Sequence, residues 1–215
     1  MRFFDQIDRD LVIQEATYGF VMALTFVTAT QLGFIDMERE MLVKAIIAMD
    51  FVWGMIDLII FFNMDVIAQR RRRHELQKVY SGQTKTPRED ICGMLDGTVF
   101  DDLDEESKQK AIDLIADAHL EGRRAANIDK MRYLFNSVTA FIVTLLTAVP
   151  SALCLLFIDD IWTACLYASF ASCVALFFTG YVMAVSDDRR MRIVFGMFLA
   201  GSTMVLTLFA AVFGG

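Results

Sequence analysis

Histidine is scarce in this chain: there are two, His74 and His119, in 215 residues, and neither lies in an apolar stretch. Imidazole is the side chain most used to move protons and hold metals near neutral pH. Its absence from the apolar segments leaves no HExxH pair, no paired-His centre and no Ser/His arrangement there. Ser169, Ser172 and Cys173 have no histidine at their own layer, so the reading is that the chain is not an enzyme. Cysteine is equally unhelpful as a chemical handle. Cys92, Cys154, Cys165 and Cys173 show no CxxC spacing, and three of them fall in apolar runs, which points to packing rather than a disulfide framework. Proline is reduced to Pro87 and Pro150. Residues 1–10, MRFFDQIDRD, contain no apolar core and no small-residue cleavage site, so no secretory signal peptide is expected and the first apolar helix would act as the anchor. Excess basic charge is missing too: the net charge is −7, which argues against a nucleic-acid partner.

What the chain has is apolar length. Hydrophobic residues make up 56% of it, above the roughly 45–50% of an ordinary soluble domain. Five stretches, 14–35, 42–64, 134–158, 161–185 and 193–213, approach or exceed the roughly 20 residues that a helix needs to cross a bilayer. The fold class expected is therefore all-α: a polytopic membrane protein with five transmembrane helices and a cytoplasmic helical insert between the second and third. The corresponding division is 1–65 (amphipathic lead-in and spans one and two), 66–132 (insert) and 133–215 (spans three to five).

Orientation follows from basic residues. Eighteen of the twenty lie in the N-terminal tail, the insert and the 184–192 turn, against Arg39 and Lys44 on the opposite side. That asymmetry places the N-terminus and insert in the cytoplasm and the C-terminus outside or in a lumen. Arg70 to Arg73 with His74 read as a topology stop and lipid-headgroup anchor. Within the insert, SGQTKTP is a loop, Pro87 starts a short helix PREDICGML, and Gly97 breaks the pattern. A longer amphipathic helix of about 25 residues follows, with Leu103, Ile112, Ile115 and Leu120 toward a core. Its Asp113, Asp117 and Glu121 form an acidic ridge, either a solvated face or a set of metal ligands, with His119 nearby.

The second span, LVKAIIAMDFVWGMIDLIIFFNM, carries two carboxylates inside its apolar run. Asp50, Trp53, Asp57 and Met64 fall at helical spacing and predict one shared face. An aspartate near a helix centre costs about 2.5–3.5 kcal/mol on insertion scales, so two on one stripe indicate a pathway or ion site, or else helix–helix hydrogen bonding. In the first span Glu15, Tyr18, Met22 and Thr25 form a second polar and thioether stripe. Gly19 and Ala23 there are a small-xxx-small pair that lets another backbone approach. Short connection 33–40 makes these two spans antiparallel neighbours. In the third, Asn136, Ser137 and Thr139 lie near one end, and Pro150 is placed to kink the helix.

The order of two spans, helical insert and three spans resembles the vacuolar iron transporter family. The likeness is carried by EATYGFVMALTFVTA, similar to that family's opening span, and by ALFFTGYVMAVSDDRRMRIVFGMFLAGSTMVLTLFAAVFGG, similar in glycine spacing and terminal glycines. The resemblance implies a homodimer whose first helices line a metal path, driven by proton antiport. It implies a first-helix aspartate, a second-helix carboxylate with a methionine, and acidic metal collectors in the insert. Asp57 matches the second-helix carboxylate, with Met64 or Met55 as soft partner. Tyr18 stands where the family has its aspartate, and Glu15, one turn earlier, would serve instead.

The resulting expectation is a proton-coupled exporter of Fe2+ or Mn2+, with no permanently bound cofactor, in the lipid bilayer and as a homodimer. The pathway residues are Glu15, Tyr18, Met22, Asp50, Asp57 and Met64. The candidate metal ligands are Asp57, Glu15 and Asp50 in the spans and Asp113, Asp117 and Glu121 in the insert. Carboxylates suit Mn2+ and Fe2+, and an acid at membrane depth can exchange its proton for such an ion. The alternative is a membrane scaffold or regulatory protein with a cytoplasmic helical sensor and no transport, in which Asp50 and Asp57 lock helices together.

Overall fold

A computed structural model describes residues 9–81, 83, 86–95, 97–117 and 130–213, with the side chains of Tyr80, Pro87, Val99 and Asp117 left aside. Its helices are α1 (Arg9–Gln31), α2 (Arg39–Tyr80), α3 (Pro87–Leu95), α4 (Glu105–Asp117), α5 (Lys130–Phe157), α6 (Ile161–Met183) and α7 (Arg189–Phe213), with a 3-10 turn at Val99–Asp102. Among the described residues there is no strand. Five of these helices, α1, α2, α5, α6 and α7, are long and apolar enough to cross a membrane. The all-α, five-span reading therefore stands at the level of helix length and composition.

The chain forms two compact units. One gathers the residues up to Phe61 and from Leu134 onward; the other is Phe62–Tyr133, so α2 contributes to both.

In the first unit the core is built from α1, α2, α5 and α6. Leu24, Val27, Leu42, Ile46, Leu155 and Leu176 are fully buried in one cluster, with Ala200 and Met204 of α7 packed against it. α1 ends where Gly33 turns into the left-handed region at φ 76°, with the Phe34 N–H reaching back to the Ala29 carbonyl; glycine adopts that conformation without a Cβ penalty. α6 starts at Asp160, whose carboxylate accepts the Thr163 N–H at 2.7 Å and satisfies one of the open donors of a helix start. That cap holds the Asp160 carboxyl below the ordinary aspartate range, through the Thr163 hydroxyl and then its backbone N–H. Two arginine clips mark the two ends of the bundle. Arg39 donates to the Asp159 carbonyl at one end, and Arg9 donates to the Val182 carbonyl at the other, 2.9 Å away. Beside the second clip, Arg192 lies over the Tyr181 ring, 4.2 Å from its centroid. α6 and α7 cross closely at Gly180 and Gly196: a Cβ on Gly196 would stand 2.6 Å from the Phe177 carbonyl. Close backbone approach of this kind is how helices associate where lipid offers no hydrophobic drive. Many large apolar side chains, Phe170, Phe198, Val205 and Phe209 among them, are exposed on this unit.

The second unit has its own small core of Val79, Ile91, Phe100 and Ile112. Here α3 lies against α4, and Arg88 pairs with Asp113 at 2.9 Å. Asp104 caps α4 by accepting the Ser107 N–H at 3.1 Å. Of the residues expected on the buried face of α4's segment, Ile112 is buried and Ile115 packs against the core, while Leu103 is 42% exposed; Leu120 lies outside the described residues.

Candidate functional site

Burial selects the residues of interest. Glu15 and Asp50 are fully buried and Asp57 is 9% exposed, all three within the first unit. On α2 the buried stripe runs Leu42, Val43, Ile46, Asp50, Gly54 and Asp57, a 3- and 4-residue alternation that keeps one face inward. Trp53, expected on that face, is 43% exposed, because it sits about 60° around the helix from Asp50. On α1 the inward stripe is Glu15, Gly19, Ala23 and Val27. This four-residue step rotates away from the expected Tyr18, which is 45% exposed, and leaves Met22 half-buried. Met64 belongs to the second unit and is 62% exposed, and Met55 is half-buried. Neither thioether expected beside Asp57 is thus on the buried stripe.

At the acid positions both helices meet α5. Its Ser137, Ala140, Thr144, Thr147, Ala148 and Ser151 are all buried. The Thr144 hydroxyl lies 2.7 Å from Glu15 Oε2, and the Thr147 hydroxyl lies 3.1 Å from Asp50 Oδ2. Gly19 makes the first contact possible: a Cβ there would fall on the Thr147 hydroxyl and within 3.1 Å of the Thr144 carbonyl. Gly54 does the same for α2, where a Cβ would come 3.0 Å from the Phe141 ring. Two glycines on two helices therefore bring both acids onto one hydroxyl seam.

Glu15 and Asp57 are near enough to interact electrostatically. Two ionised carboxylates repel and have no donor between them, so a proton or a cation shared in that neighbourhood would be stabilising. Each of the three acids keeps one buried oxygen without a protein partner among the described residues: Glu15 Oε1, Asp50 Oδ1 and Asp57 Oδ2. No described ion pair involves any of them, and no Lys or Arg occurs in 45–69, 133–188 or 193–215.

The acids divide into a Glu15–Asp57 pair with Thr144 and a separate Asp50 with Thr147. Accordingly, no group of three or more His, Cys, Asp or Glu is placed to hold a metal ion among the described residues. Glu15, Asp50 and Asp57, expected from sequence as one set of ligands, are all buried, with Asp50 and Asp57 two helical turns apart on α2, about 10 Å. In the second unit Asp113 is engaged by Arg88 and by Gln109 at 3.2 Å. The Asp117 side chain, His119 and Glu121 lie outside the described residues. A cleft of about 560 Å³ is lined by Gln14, Thr17, Tyr18, Met183 and neighbours. Tyr18 opens on it, but none of the three acids lines it.

The chain matches no family model, and no curated protein or solved structure matches it.

Thr144 and Thr147 are the partners that the acid stripes alone do not reveal. Their signal was present as small and hydroxyl side chains alternating at 3 and 4 residues through an otherwise Leu- and Val-rich helix, from Ser137 to Ser151.

Proposed function

We propose that this protein is a proton-coupled carrier of a divalent cation, Mn2+ or Fe2+, with Glu15 and Asp57 as the cation-binding pair. The observation that supports this most is three buried acids within the spans, none of them in an ion pair among the described residues, with no Lys or Arg in 10–38, 45–69 or 133–188. Left charged, each would cost about 2.5–3.5 kcal/mol, and the three together would approach the whole stability of a typical fold, about 5–15 kcal/mol. The neutralising charge must therefore come from a proton or a cation, and a carrier uses the exchange of one for the other. A pair of carboxylates with a hydroxyl beside it offers hard oxygen donors, which favour Mn2+ over softer ions. Two protein carboxylates leave room for several waters around the ion, which suits a cargo that must leave again. The basic-residue asymmetry supports an orientation with N-terminus and insert cytoplasmic; the resemblance to vacuolar iron transporters adds export from the cytoplasm as the direction, and a homodimer.

The test is uptake of Mn2+ and Fe2+ into proteoliposomes, with and without a pH gradient. Saturable flux is expected in the wild type and its loss in Asp57→Asn. The scaffold reading has its own support, since the hydrogen bonds Thr144–Glu15 and Thr147–Asp50 tie α1 and α2 to α5. Under that reading the wild type moves no ion, and Asp57→Asn loosens the fold or the oligomer instead.

A further inference from the structure

We propose that the cation's route lies inside a single protomer, along the hydroxyl seam of α5, and leaves the acid pair past Asp50 and through Ser151, Ser172 and Ser169. This rests on the transport reading above and departs from the dimer-lined path that the family resemblance implies.

Glu15 is fully buried within one chain, facing α5 rather than an outer surface, so two copies meeting at α1 would not bring their Glu15 side chains together. From the acid pair toward the Arg39 end, buried polar side chains recur at about every helical turn. Thr144 is beside Glu15; Thr147 is beside Asp50 and also 2.5 Å from the Thr144 carbonyl. One turn further on α5, Ser151 Oγ meets Ser172 Oγ of α6 at 3.4 Å, both residues fully buried. Ser169, 6% exposed, lies one turn beyond Ser172 on the same face of α6, and its Oγ has no protein partner among the described residues. Thr28 of α1, 2% exposed and near the same end, has an unpartnered Oγ1 as well. On the other side of the pair, Asn136 Oδ1 of α5 is in the same condition. From Asn136 to Ser151 the seam covers about 22 Å at 1.5 Å per residue, most of the roughly 30 Å hydrocarbon thickness.

Buried polar atoms in proteins are nearly always bonded, and those that are not are met by water or ions. Here such atoms belong to α1, α2, α5 and α6 and span the depth of the bundle. Hydroxyls strung between carboxylates can solvate an ion as it moves, each giving an oxygen without adding charge. The Ser151–Ser172 contact closes the route in the present conformation and is its gate on the Arg39 side.

The experiment uses the full-length protein with Cys92, Cys154, Cys165 and Cys173 replaced, reconstituted in liposomes and assayed for Mn2+ flux. Ser169→Cys and Ser172→Cys are each treated with a water-soluble, membrane-impermeant thiol reagent and with a lipid-soluble one. The expected result is labelling by the water-soluble reagent and a fall in flux of more than about tenfold. Labelling by the lipid-soluble reagent alone, or by neither, overturns the route. A second arm mixes wild type with Asp57→Asn. Flux proportional to the wild-type fraction supports a path within each protomer; flux following its square places the path between chains and overturns the proposal. Absence of Mn2+ flux from wild type and Cys-free parent alike refutes the transport reading itself, and the route with it.

Discussion

Replacing Gly19 with alanine adds one methyl group where α1 crosses α5. That methyl would fall on the Thr147 hydroxyl, 2.9 Å from Thr147 Cβ and 3.1 Å from the Thr144 carbonyl. Two of those atoms belong to the side chain holding Asp50 and the third to rigid helix backbone, so the collision is relieved only by parting the helices or turning Thr147 away. Overpacking of this kind costs about 1–3 kcal/mol. A buried acid left without its hydroxyl adds about 1–3 kcal/mol, and the better helix propensity of alanine returns up to about 1 kcal/mol. The net expectation is a destabilisation of roughly 3 kcal/mol, which at about 2–4 °C per kcal/mol for a chain of this size is a fall of about 6–12 °C in unfolding temperature. Thermal unfolding in detergent, followed by circular dichroism, reads it. Gly201→Ala is the control, since a Cβ there meets nothing within 4 Å, and it should unfold at or slightly above the wild-type temperature. If Gly19→Ala behaves like Gly201→Ala, the close α1–α5 crossing, and the site built on it, are refuted.

Other outcomes follow from the same geometry. Thr144→Val keeps shape but removes the hydroxyl 2.7 Å from Glu15; it should cost about 1–3 kcal/mol in stability and lower Mn2+ flux by more than about tenfold, whereas Thr144→Ser should restore most of both. Asp160 should make α6 sensitive to acid. Its carboxyl is held below the ordinary aspartate range by the Thr163 hydroxyl and N–H, so its contribution is present above the unfolded pKa, about 3.9, and fades as pH falls through the lower folded value. Asp160→Ala should therefore unfold at a lower temperature than wild type at neutral pH, with the gap closing in strong acid, and Asp160→Asn, which retains a cap, should lie between; a gap independent of pH would refute the capping role.

The division between sequence and structure can be followed residue by residue. Five membrane-length helices were legible because apolar length alone decides whether a helix can span. The polar exceptions Glu15, Asp50 and Asp57 were legible because a carboxyl group in such a run stands out by its cost. Rotation of each helix about its axis was not, since helical spacing leaves several neighbouring faces open. Only packing showed that α1 turns Glu15 and Gly19 inward and Tyr18 outward, and that Trp53 leaves the stripe of Asp50 and Asp57. The partners of the acids were hidden for the same reason. Thr144 and Thr147 lie 129 and 97 positions from Glu15 and Asp50, and sequence spacing says nothing about contacts between helices. The chain by itself determined that these acids would be in the spans; the glycine crossings at Gly19 and Gly54 decided which hydroxyls they meet, because only there can the backbones come close enough for short side chains to touch.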